Sequence, residues 1–592
     1  MTRHLFLSAL LALPLPARLA AAGEPSAVQA AAGESAIRSF VSAIRADKFL
    51  VTPGRMVLPQ VQHLVCTGQM SSCNGINSTN PYIVVSVPPP GQPYDENLPP
   101  LNFQIRQDEA IVLIGRTPPP LAYFSFRSFT VNRWIERESI RRKVFPALGD
   151  PNNMMTFNTL GKAAGDPYDR AFVVVIVSDK GTEARVRAAL RVAGFPDAMI
   201  NRDVISPNFT RMSSLPNGDP DAVKDDEFAG LMRFALWEYG YEEAGAEYLG
   251  NPPIAVLRLT PNPRTAKDDY SPLPVEKLRP RGTGQTELDL TWEVEALRDA
   301  IIAKFPSMKA DDLRPTTWLE ESFVAQQKDL DVLGESRDTV YLRSEGTFPL
   351  GEGEFLMVYG VNHESTRKAT YANFAVYNTC DACPNGGVNS RDFAGSALEL
   401  FRGAASPPPH VENLYAWKVA RDCGGDPRCT QLNNKDCPYE IEPGSQFFVG
   451  FRAYVEPATK VGPAFTEVLY DRVLRFTPTA PSISGVTVTM NGKVVDPEKL
   501  TAGTPVDVTF SLTPSTDSAT VSWTASLKEE DGCARLSKSS GTWPDPASTS
   551  ATVTFRLTPY PTLAMSRLTL YLNATDGKGR RSKISATSLK FN

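Results

Sequence analysis

Hydrophobic and polar positions in the first half of the chain predict a mixture of strands and helices. Residues 122–129 alternate in character, so that one face of a strand would be strongly apolar. Residues 172–177 form a continuous, mostly β-branched run, which is typical of a strand buried on both faces. Asp179 follows at a helix N-cap position, and apolar residues then recur at helical spacing.

The same helical spacing predicts a second helix over 225–239. Other short apolar runs predict strands at 82–87, 101–105, 110–114 and 254–259. Strands interleaved with helices favour a layered architecture. We therefore expect residues 61–275 to form an α+β domain with mixed α/β layers, preceded by a leader with a short helix over 23–60.

The central part of the chain is predicted to be richer in strands. Its clearest helix is predicted over 287–305, where four apolar residues recur along one face: Leu290, Val294, Leu297 and Ile301. Strands are predicted at 339–343, 354–361, 370–377, 446–455 and 468–476. A long loop region with cysteines separates two of them at 383–444. We expect residues 276–478 to form a β-rich domain with a long helix.

The C-terminal part consists of short strand candidates separated by turn signals, at 483–490, 506–512, 519–526, 551–557, 567–573 and 582–591. Trp523 lies in the third strand, and the run YLNATDGKGRRS at 571–582 leads a strand into an Asp-Gly turn. On these features, residues 479–592 resemble bacterial immunoglobulin-like modules. The resemblance implies a β-sandwich, although Cys533 has no cysteine partner of the antibody type. The whole chain is thus predicted to be a multidomain α+β protein.

The first 22 residues have the order of a secretory signal peptide. Arg3 and His4 precede an apolar run at 5–15, and three alanines follow at 20–22. A buried N-terminal helix is the alternative. No later run has the 18 or so apolar residues of a membrane helix. We expect a bacterial protein that is secreted or periplasmic, or attached to the cell surface.

The charge of the chain argues against nucleic acid as a partner. The 592 residues include 61 Lys and Arg against 66 Asp and Glu, a formal charge of −5. A protein that binds a phosphate backbone needs a basic surface. The expected partner is an extracellular or envelope ligand of unknown chemistry.

The cysteine count favours disulfides, because an even number of cysteines in an exported chain is usually oxidised. Cys66 and Cys73 enclose a small polar loop and are predicted to pair. The pairing of the others is open: Cys380, Cys383, Cys423, Cys429, Cys437 and Cys533. A zinc site built on Cys380 and Cys383 is the alternative, but the later cysteines lack the spacing within pairs that zinc sites have.

Motifs of the common enzyme classes are missing from the sequence, including the serine nucleophile elbow, the P-loop, the dinucleotide fingerprint and the zincin helix. His363 is the candidate general base, because it ends an apolar strand and Glu364 adjoins it. The alternative is a histidine whose ring is satisfied by backbone groups.

Two further sites are predicted from residue type. An acidic loop before a helix offers oxygen ligands for structural calcium, at Asn217, Asp219, Asp221 and Asp225. Its alternative is a solvated loop whose acids favour the helix N-terminus. Tyr123, Arg133 and Trp134 could line a carbohydrate or anion site, although aromatic faces on strands are more often core.

Two functions remain open from the sequence. The first is an exported binding or structural protein with an immunoglobulin-like accessory module, which the missing motifs favour. The second is a secreted hydrolase with its active site in residues 61–478, which the size of that segment favours. No cofactor other than the candidate calcium is predicted.

Overall fold

The computed structural model describes residues 33–160, 166–213, 222–261, 270–306, 308–351, 353–432, 444–477, 482–501, 503–513, 520–529, 534–543, 551–559, 567–577, 581–582 and 584–591. These residues are mostly β, with 41% in strands and 17% in helices. Of the helices described, none is long and apolar enough to cross a membrane.

A curled ten-stranded sheet forms the N-terminal part of the fold. Its strands are β1 (Phe49–Val57), β2 (Tyr82–Ser86), β3 (Ala110–Arg116), β4 (Leu121–Ile135), β5 (Ile140–Lys143), β6 (Asn152–Asn153), β7 (Ala171–Val177), β8 (Ile200–Val204), β9 (Glu227–Trp237) and β10 (Ile254–Pro261). They lie in the order β5-β4-β9-β2-β1-β10-β3-β7-β8, with β6 beside β4. Neighbouring strands are antiparallel, except that β7 and β8 are parallel.

Two helices cover one face of this sheet. The helices of the N-terminal part are α1 (Glu34–Ala46), α2 (Val61–Cys66), α3 (Lys180–Val192) and α4 (Glu242–Gly250). Helices α1 and α3 bury Phe40, Ile44 and Leu190 against the apolar face of β7 and its neighbours. Helix α3 begins as the sequence predicts, because the side chain of Asp179 accepts a hydrogen bond from the Thr182 backbone N–H at 2.7 Å.

The prediction of an α+β fold is wrong. The N-terminal part is one curled, largely antiparallel sheet rather than a set of α/β layers, and the chain as a whole is β-rich. The helix predicted over 225–239 is strand β9, which is paired with β2 on one side and β4 on the other. Residues 228–235 of β9 are buried on both faces. A strand of this kind is apolar at nearly every position, so its sequence also fits a helical period.

Two sheets form a sandwich in the central part. Its strands are β11 (Lys309–Leu313), β12 (Pro315–Thr317), β13 (Thr339–Ser344), β14 (Phe348–Pro349), β15 (Phe355–Val361), β16 (Tyr371–Asn378), β17 (Pro384–Asn389), β18 (Leu414–Ala420), β19 (Cys429–Gln431), β20 (Gln446–Tyr454) and β21 (Arg472–Thr477). One sheet has the order β11-β21-β15-β18-β19; the other has β12-β13-β20-β16-β17, with β14 beside β20. Apolar side chains of both sheets share one core.

A helix is present within the predicted 287–305, as α5 (Thr291–Lys304), but it has only 14 residues, so the predicted α+β mixture with a long helix is wrong here too. Helix α5 covers the outer face of β15 and β21. Two short helices, α6 (Ser322–Lys328) and α7 (Ser390–Phe393), complete the α-helices described. Short 3₁₀ helices lie at Asp197–Met199, Ala222–Lys224, Leu288–Leu290, Ser396–Phe401 and Val411–Asn413.

The C-terminal part is a second sandwich. Its strands are β22 (Ser482–Met490), β23 (Lys493–Val494), β24 (Val506–Thr513), β25 (Val521–Glu529), β26 (Ala534–Leu536), β27 (Ser540–Trp543), β28 (Ala551–Pro559), β29 (Arg567–Asp576) and β30 (Ser585–Lys590). The two sheets have the orders β23-β22-β24-β28-β26 and β27-β25-β29-β30. Trp523 is buried between them, 5.3 Å from Phe510 and 5.9 Å from Phe555 between ring centroids. Its relation to immunoglobulin-like modules stays a prediction.

The curled sheet and the central sandwich share a hydrophobic core. The ring of Tyr123 on β4 lies 4.8 Å from that of Tyr454 on β20, centroid to centroid. The Tyr123 hydroxyl donates to Asp338, which precedes β13, at 3.2 Å. The same core cluster includes Tyr371 and Val455 of the central part. Cavities along this contact are therefore lined by residues distant in sequence.

Candidate functional site

The ring of His363 is held between two carboxylates in the core of the central sandwich. Its Nδ1 lies 2.8 Å from Glu287 Oε2, and its Nε2 lies 3.3 Å from Asp471 Oδ2. Asp471 also accepts a hydrogen bond from the Tyr415 hydroxyl at 2.7 Å. The His363 side chain is 3% exposed, and the two carboxylates are 2% and 6% exposed.

These contacts fix His363 as a cation with a structural role. Burial lowers the pKa of His363, but the negative charges of Glu287 and Asp471 outweigh burial and raise the pKa well above its usual value. A general base must be neutral at working pH, which this imidazole is not. The Glu364 carboxylate faces away and accepts from the Ser390 hydroxyl at 2.6 Å. The predicted pair of His363 and Glu364 is thus not brought together.

The three predicted ligand-binding residues do not form a site together. Tyr123 is fully buried in the shared core. Arg133 is bound on several sides, with Asp226 and Asp329 each at 3.2 Å. Trp134 is half-buried on β4, next to Arg133 along the chain.

The candidate calcium ligands fall mostly outside the described residues. Asn217, Asp219 and Asp221 lie there, so the calcium site stays a prediction. Asp225 is described and buried, and its Oδ2 accepts from the Ser213 backbone N–H at 2.9 Å. Over the described part of the chain, no three His, Cys, Asp or Glu side chains are grouped to hold a metal ion.

The predicted disulfide between Cys66 and Cys73 is wrong. Cys73 is bonded to Cys383, and Cys423 is bonded to Cys429. Cys66 and Cys380 are disulfide-bonded as well, which argues against the zinc alternative, whereas Cys437 and Cys533 lie outside the described residues. Backbone contacts favour the pairing of Cys73 with Cys383, because the Cys73 N–H donates to the Asp381 carbonyl at 2.7 Å and brings residue 73 to the turn before β17.

That disulfide holds one wall of a cavity of about 380 Å³ between the curled sheet and the central sandwich. The segment 69–76 forms this wall, and strands β2, β4 and β9 form the opposite side. Trp318, Tyr341 on β13 and Arg452 on β20 close the cavity from the sandwich. Ligand sites are commonly found at such contacts between structural units.

Most of the cavity lining is apolar, and its charged groups are all cationic. Apolar side chains on the sheet side include Val84, Val131 and Leu231. The charged side chains are Lys143, Arg233 and Arg452. Among the described residues, no Asp, Glu, His or Cys lines the cavity. Lys143 is paired with Asp331 at 2.9 Å, so the two arginines carry the unbalanced charge.

Five arginines are buried in the described part of the chain, and they divide into two groups. Three are paired with carboxylates, as the following distances show: Arg127 to Asp203 at 3.0 Å, Arg258 to Glu109 at 2.7 Å and Arg337 to Asp150 at 2.8 Å. Arg233 and Arg452 have no carboxylate within salt-bridge distance among the described residues, and both line the cavity. Buried charges are normally paired, so these two require a different explanation.

Aromatic rings and carbonyl groups hold the two guanidinium groups in place. Arg452 donates to the Gly75 carbonyl at 2.5 Å, and its Cζ lies 4.9 Å from the centroid of Trp318. Arg233 donates to the Gly334 carbonyl at 2.6 Å and to the Tyr341 hydroxyl at 3.4 Å.

Donor capacity remains on Arg233, because its buried Nε has no hydrogen-bond partner in the described structure. Cation–π contacts of the kind made by both arginines stabilise a guanidinium without neutralising it.

A sequence signal for these residues exists. Arg233 interrupts the apolar run FAGLMRFALW, and Arg452 interrupts QFFVGFRAY. An arginine inside a run of this kind is expected to be buried and to need a partner. The same signal marks Arg258 in IAVLRL, which does have its carboxylate, so the run alone does not separate a structural arginine from a ligand-binding one.

Comparisons with known proteins add little. No family model and no curated protein matches the chain. Among solved structures, a glycosyl hydrolase family 2 member from Bacteroides cellulosilyticus is 12% identical over 43% of this chain and 28% of its own, with a TM-score of 0.15. A β-glucuronidase from Lactobacillus rhamnosus is 10% identical over 48% of this chain and 45% of its own, also at 0.15. The chain spans less than half the length of these proteins.

Proposed function

We propose that this protein binds a small molecule with an apolar body and an anionic group, in the cavity between the curled sheet and the central sandwich. The observation that carries the proposal is the pair of buried arginines, Arg233 and Arg452, that face a cavity lined by no carboxylate of the described residues. A carboxylate, sulfonate or phosphate on the ligand would supply the missing counter-charge. The apolar lining suits the remainder of the ligand.

The energetics support a binding site rather than a packing arrangement. An unpaired buried charge costs several kcal/mol, which a protein tolerates mainly at functional sites. A charge-assisted hydrogen bond to a ligand is worth about 1.5–3 kcal/mol, or roughly ten- to a hundredfold in affinity. The ring of Trp318 beside Arg452 adds a flat apolar face on which an aromatic or ring-shaped ligand could stack.

Binding is favoured over hydrolysis by the same lining. Glycoside, ester and peptide hydrolysis use carboxylates, imidazoles or activated nucleophiles in contact with the substrate. The described lining has neither carboxylate nor imidazole, and His363 lies in the core with both ring nitrogens engaged. We further propose that the protein is exported and that residues 479–592 are an accessory module. The disulfides and the signal-like order of residues 1–22 support export.

Two matched fluorescent probes test the proposed function. Anilinonaphthalene sulfonate carries an anionic group on an aromatic body, and phenylnaphthylamine is its uncharged counterpart. The full chain should bind the sulfonate at least about tenfold more tightly than the uncharged probe, because only the sulfonate can pair with the arginines. Replacing Arg452 by Gln should weaken that preference, because Arg233 remains, and should leave binding of the uncharged probe unchanged.

The control variant is Arg556→Gln, which removes the same charge from an exposed site in the C-terminal sandwich. It should leave both affinities unchanged. A purely structural Arg452 would give a different result: its replacement would lower the melting temperature and weaken both probes in parallel. Equal binding of the two probes by the unaltered chain would also overturn the proposal.

A further inference from the structure

A second depression lies beside the cavity and differs from it in chemistry. It has a volume of about 570 Å³ and is open to solvent. It shares Pro59, Val61, Ile76 and Tyr82 with the cavity, so the two are neighbours along one wall. We call it the polar groove.

The polar groove is lined by hydrogen-bonding side chains, mostly amides and hydroxyls, together with the imidazole of His63. Its polar lining includes Gln60, Gln62, Ser78, Thr79 and Asn80. No Lys, Arg, Asp or Glu of the described structure lines it. Uncharged amides and hydroxyls of this kind offer both donors and acceptors to a ligand, and they give no preference for a charged one.

Asn80 is the group in the groove that the protein itself leaves incomplete. Its side chain is buried, and its Oδ1 accepts from the Tyr371 hydroxyl at 2.8 Å. Its Nδ2 is buried without a hydrogen-bond partner in the described structure. A buried donor in this state is destabilising unless something accepts from it.

Nearby Asn77 provides the contrast. Its Nδ2 donates to Asn373 at 3.0 Å, and its Oδ1 accepts from Asn373 Nδ2 at 2.7 Å. The amide of Asn77 is therefore satisfied by the central sandwich, whereas the amide of Asn80 is only half satisfied. The difference points to Asn80 as a ligand contact rather than a packing residue.

We infer that the polar groove binds an uncharged carbohydrate unit. A sugar ring presents neighbouring hydroxyls that donate and accept at once, which matches a lining of amides and hydroxyls. One sugar hydroxyl would accept from Asn80 Nδ2. This inference rests on the proposed function. Together, the two sites would bind a glycoconjugate, with its sugar in the groove and its apolar, anionic part in the cavity.

Saturation-transfer NMR on the full chain tests the groove, with maltose, cellobiose and diacetylchitobiose as probes. At least one disaccharide should receive saturation from the unaltered protein. Asn80→Leu should remove the signal, because it replaces the amide by an apolar group of similar size. Gln60→Trp should also remove it by filling the groove from an exposed position, which keeps the test valid if Asn80→Leu fails to fold.

Sugar binding in the groove and anion binding in the cavity can be tested independently. Arg452→Gln should keep the disaccharide signal and weaken the sulfonate preference. Asn80→Leu should lose the disaccharide signal and keep the sulfonate preference. A saturating disaccharide should not displace anilinonaphthalene sulfonate. Absence of any disaccharide signal, retention of the signal in both groove variants, or competition with the sulfonate would each overturn the inference; none of these results would bear on the arginines.

Discussion

Gly450 leaves the space that the ring of Trp318 fills: a Cβ atom on residue 450 would lie 2.7 Å from the indole. The same atom would lie 2.9 Å from the ring of Tyr377. Arg452 is two residues further along β20 and stacks on the same indole. The shape of the cavity therefore depends on a glycine that does not line it.

Replacing Gly450 by Ala should displace Trp318 and weaken binding of anilinonaphthalene sulfonate. Overpacking of this kind costs about 1–3 kcal/mol, so the melting temperature should also fall. Fluorescence titration and a thermal melt measure the two effects. Gly250→Ala is the matched control, because nothing lies within 4 Å of its added Cβ. Unchanged sulfonate affinity in Gly450→Ala would mean that the indole position is irrelevant to the cavity.

Sequence patterns predicted the elements that obey a single period. Strand β7, helix α3 with its Asp179 cap and helix α5 are close to where the pattern places them. The pattern gave the wrong element for strand β9, because residues 228–235 are buried on both faces and their apolar positions fit both the helical and the strand period. The helix predicted in its place contributed to the α+β fold class, which the structure contradicts.

The cavity could not be predicted from the sequence for a different reason. Arg233, Trp318 and Arg452 belong to three segments that meet only when the curled sheet packs on the sandwich. The sequence marks the two arginines as buried but does not say which buried arginines lack a carboxylate. His363 shows the converse, since its partners Glu287 and Asp471 are each distant in sequence and turn a candidate base into a structural cation.

Removing the His363 ring should destabilise the fold and spare binding. His363→Gln leaves two buried carboxylates without their cation, which costs about 3–5 kcal/mol when a buried pair is broken. The melting temperature should fall by several degrees, whereas the affinity for anilinonaphthalene sulfonate should not change in the folded protein. A loss of binding without a loss of stability would instead indicate that His363 takes part in ligand binding.

The pH dependence of this destabilisation has a definite sign. The pKa of His363 is raised on folding, so its stabilising contribution is complete below about pH 6.5, the pKa of an unperturbed histidine. The contribution is lost as the pH rises through the raised pKa. The difference in melting temperature between the unaltered chain and His363→Gln should therefore be largest below about pH 6.5 and shrink as the pH rises from there toward the raised pKa. A difference that grows with pH would contradict the assignment.

Asp338, which lies at the contact between the sheet and the sandwich, should make folding stability depend on pH in a lower range than His363 does. Burial raises the pKa of Asp338 to about 7, even though Arg279 lowers it. Between about pH 4 and about pH 7, Asp338 is therefore protonated in the folded state and ionised in the unfolded state. The free energy of unfolding falls as the pH rises through this range.

Asp338→Asn should remove that fall in stability, because the amide carries no charge at any of these pH values. The substitution can keep both contacts: Asn153 Nδ2 now donates to Asp338 Oδ1 at 2.8 Å, and an amide could donate to the Tyr123 oxygen in place of accepting from it. Calorimetry at about pH 5 and about pH 8 should show a smaller change in melting temperature for the variant. Parallel profiles for the two proteins would rule out Asp338 as the titrating group.

The disulfide between Cys73 and Cys383 should matter for binding as well as stability. It ties the cavity wall, residues 69–76, to the central sandwich, and it closes a loop with a sequence separation of 310 residues. Two hydrogen bonds reinforce the attachment: Cys73 N to the Asp381 carbonyl at 2.7 Å and Gly75 N to the Ala382 carbonyl at 3.1 Å. Gly75 in turn supplies the carbonyl that holds Arg452.

Replacing both Cys73 and Cys383 by Ser should lower the melting temperature and weaken anilinonaphthalene sulfonate binding, because the wall and Arg452 lose a covalent anchor. The matched control replaces Cys423 and Cys429 by Ser. That disulfide has a sequence separation of only 6 and neither residue lines the cavity, so its loss should leave the affinity unchanged and cost less stability. If both double variants weaken the sulfonate equally, the wall is not what positions Arg452. If only the first does, the covalent attachment of residues 69–76 is part of the binding site.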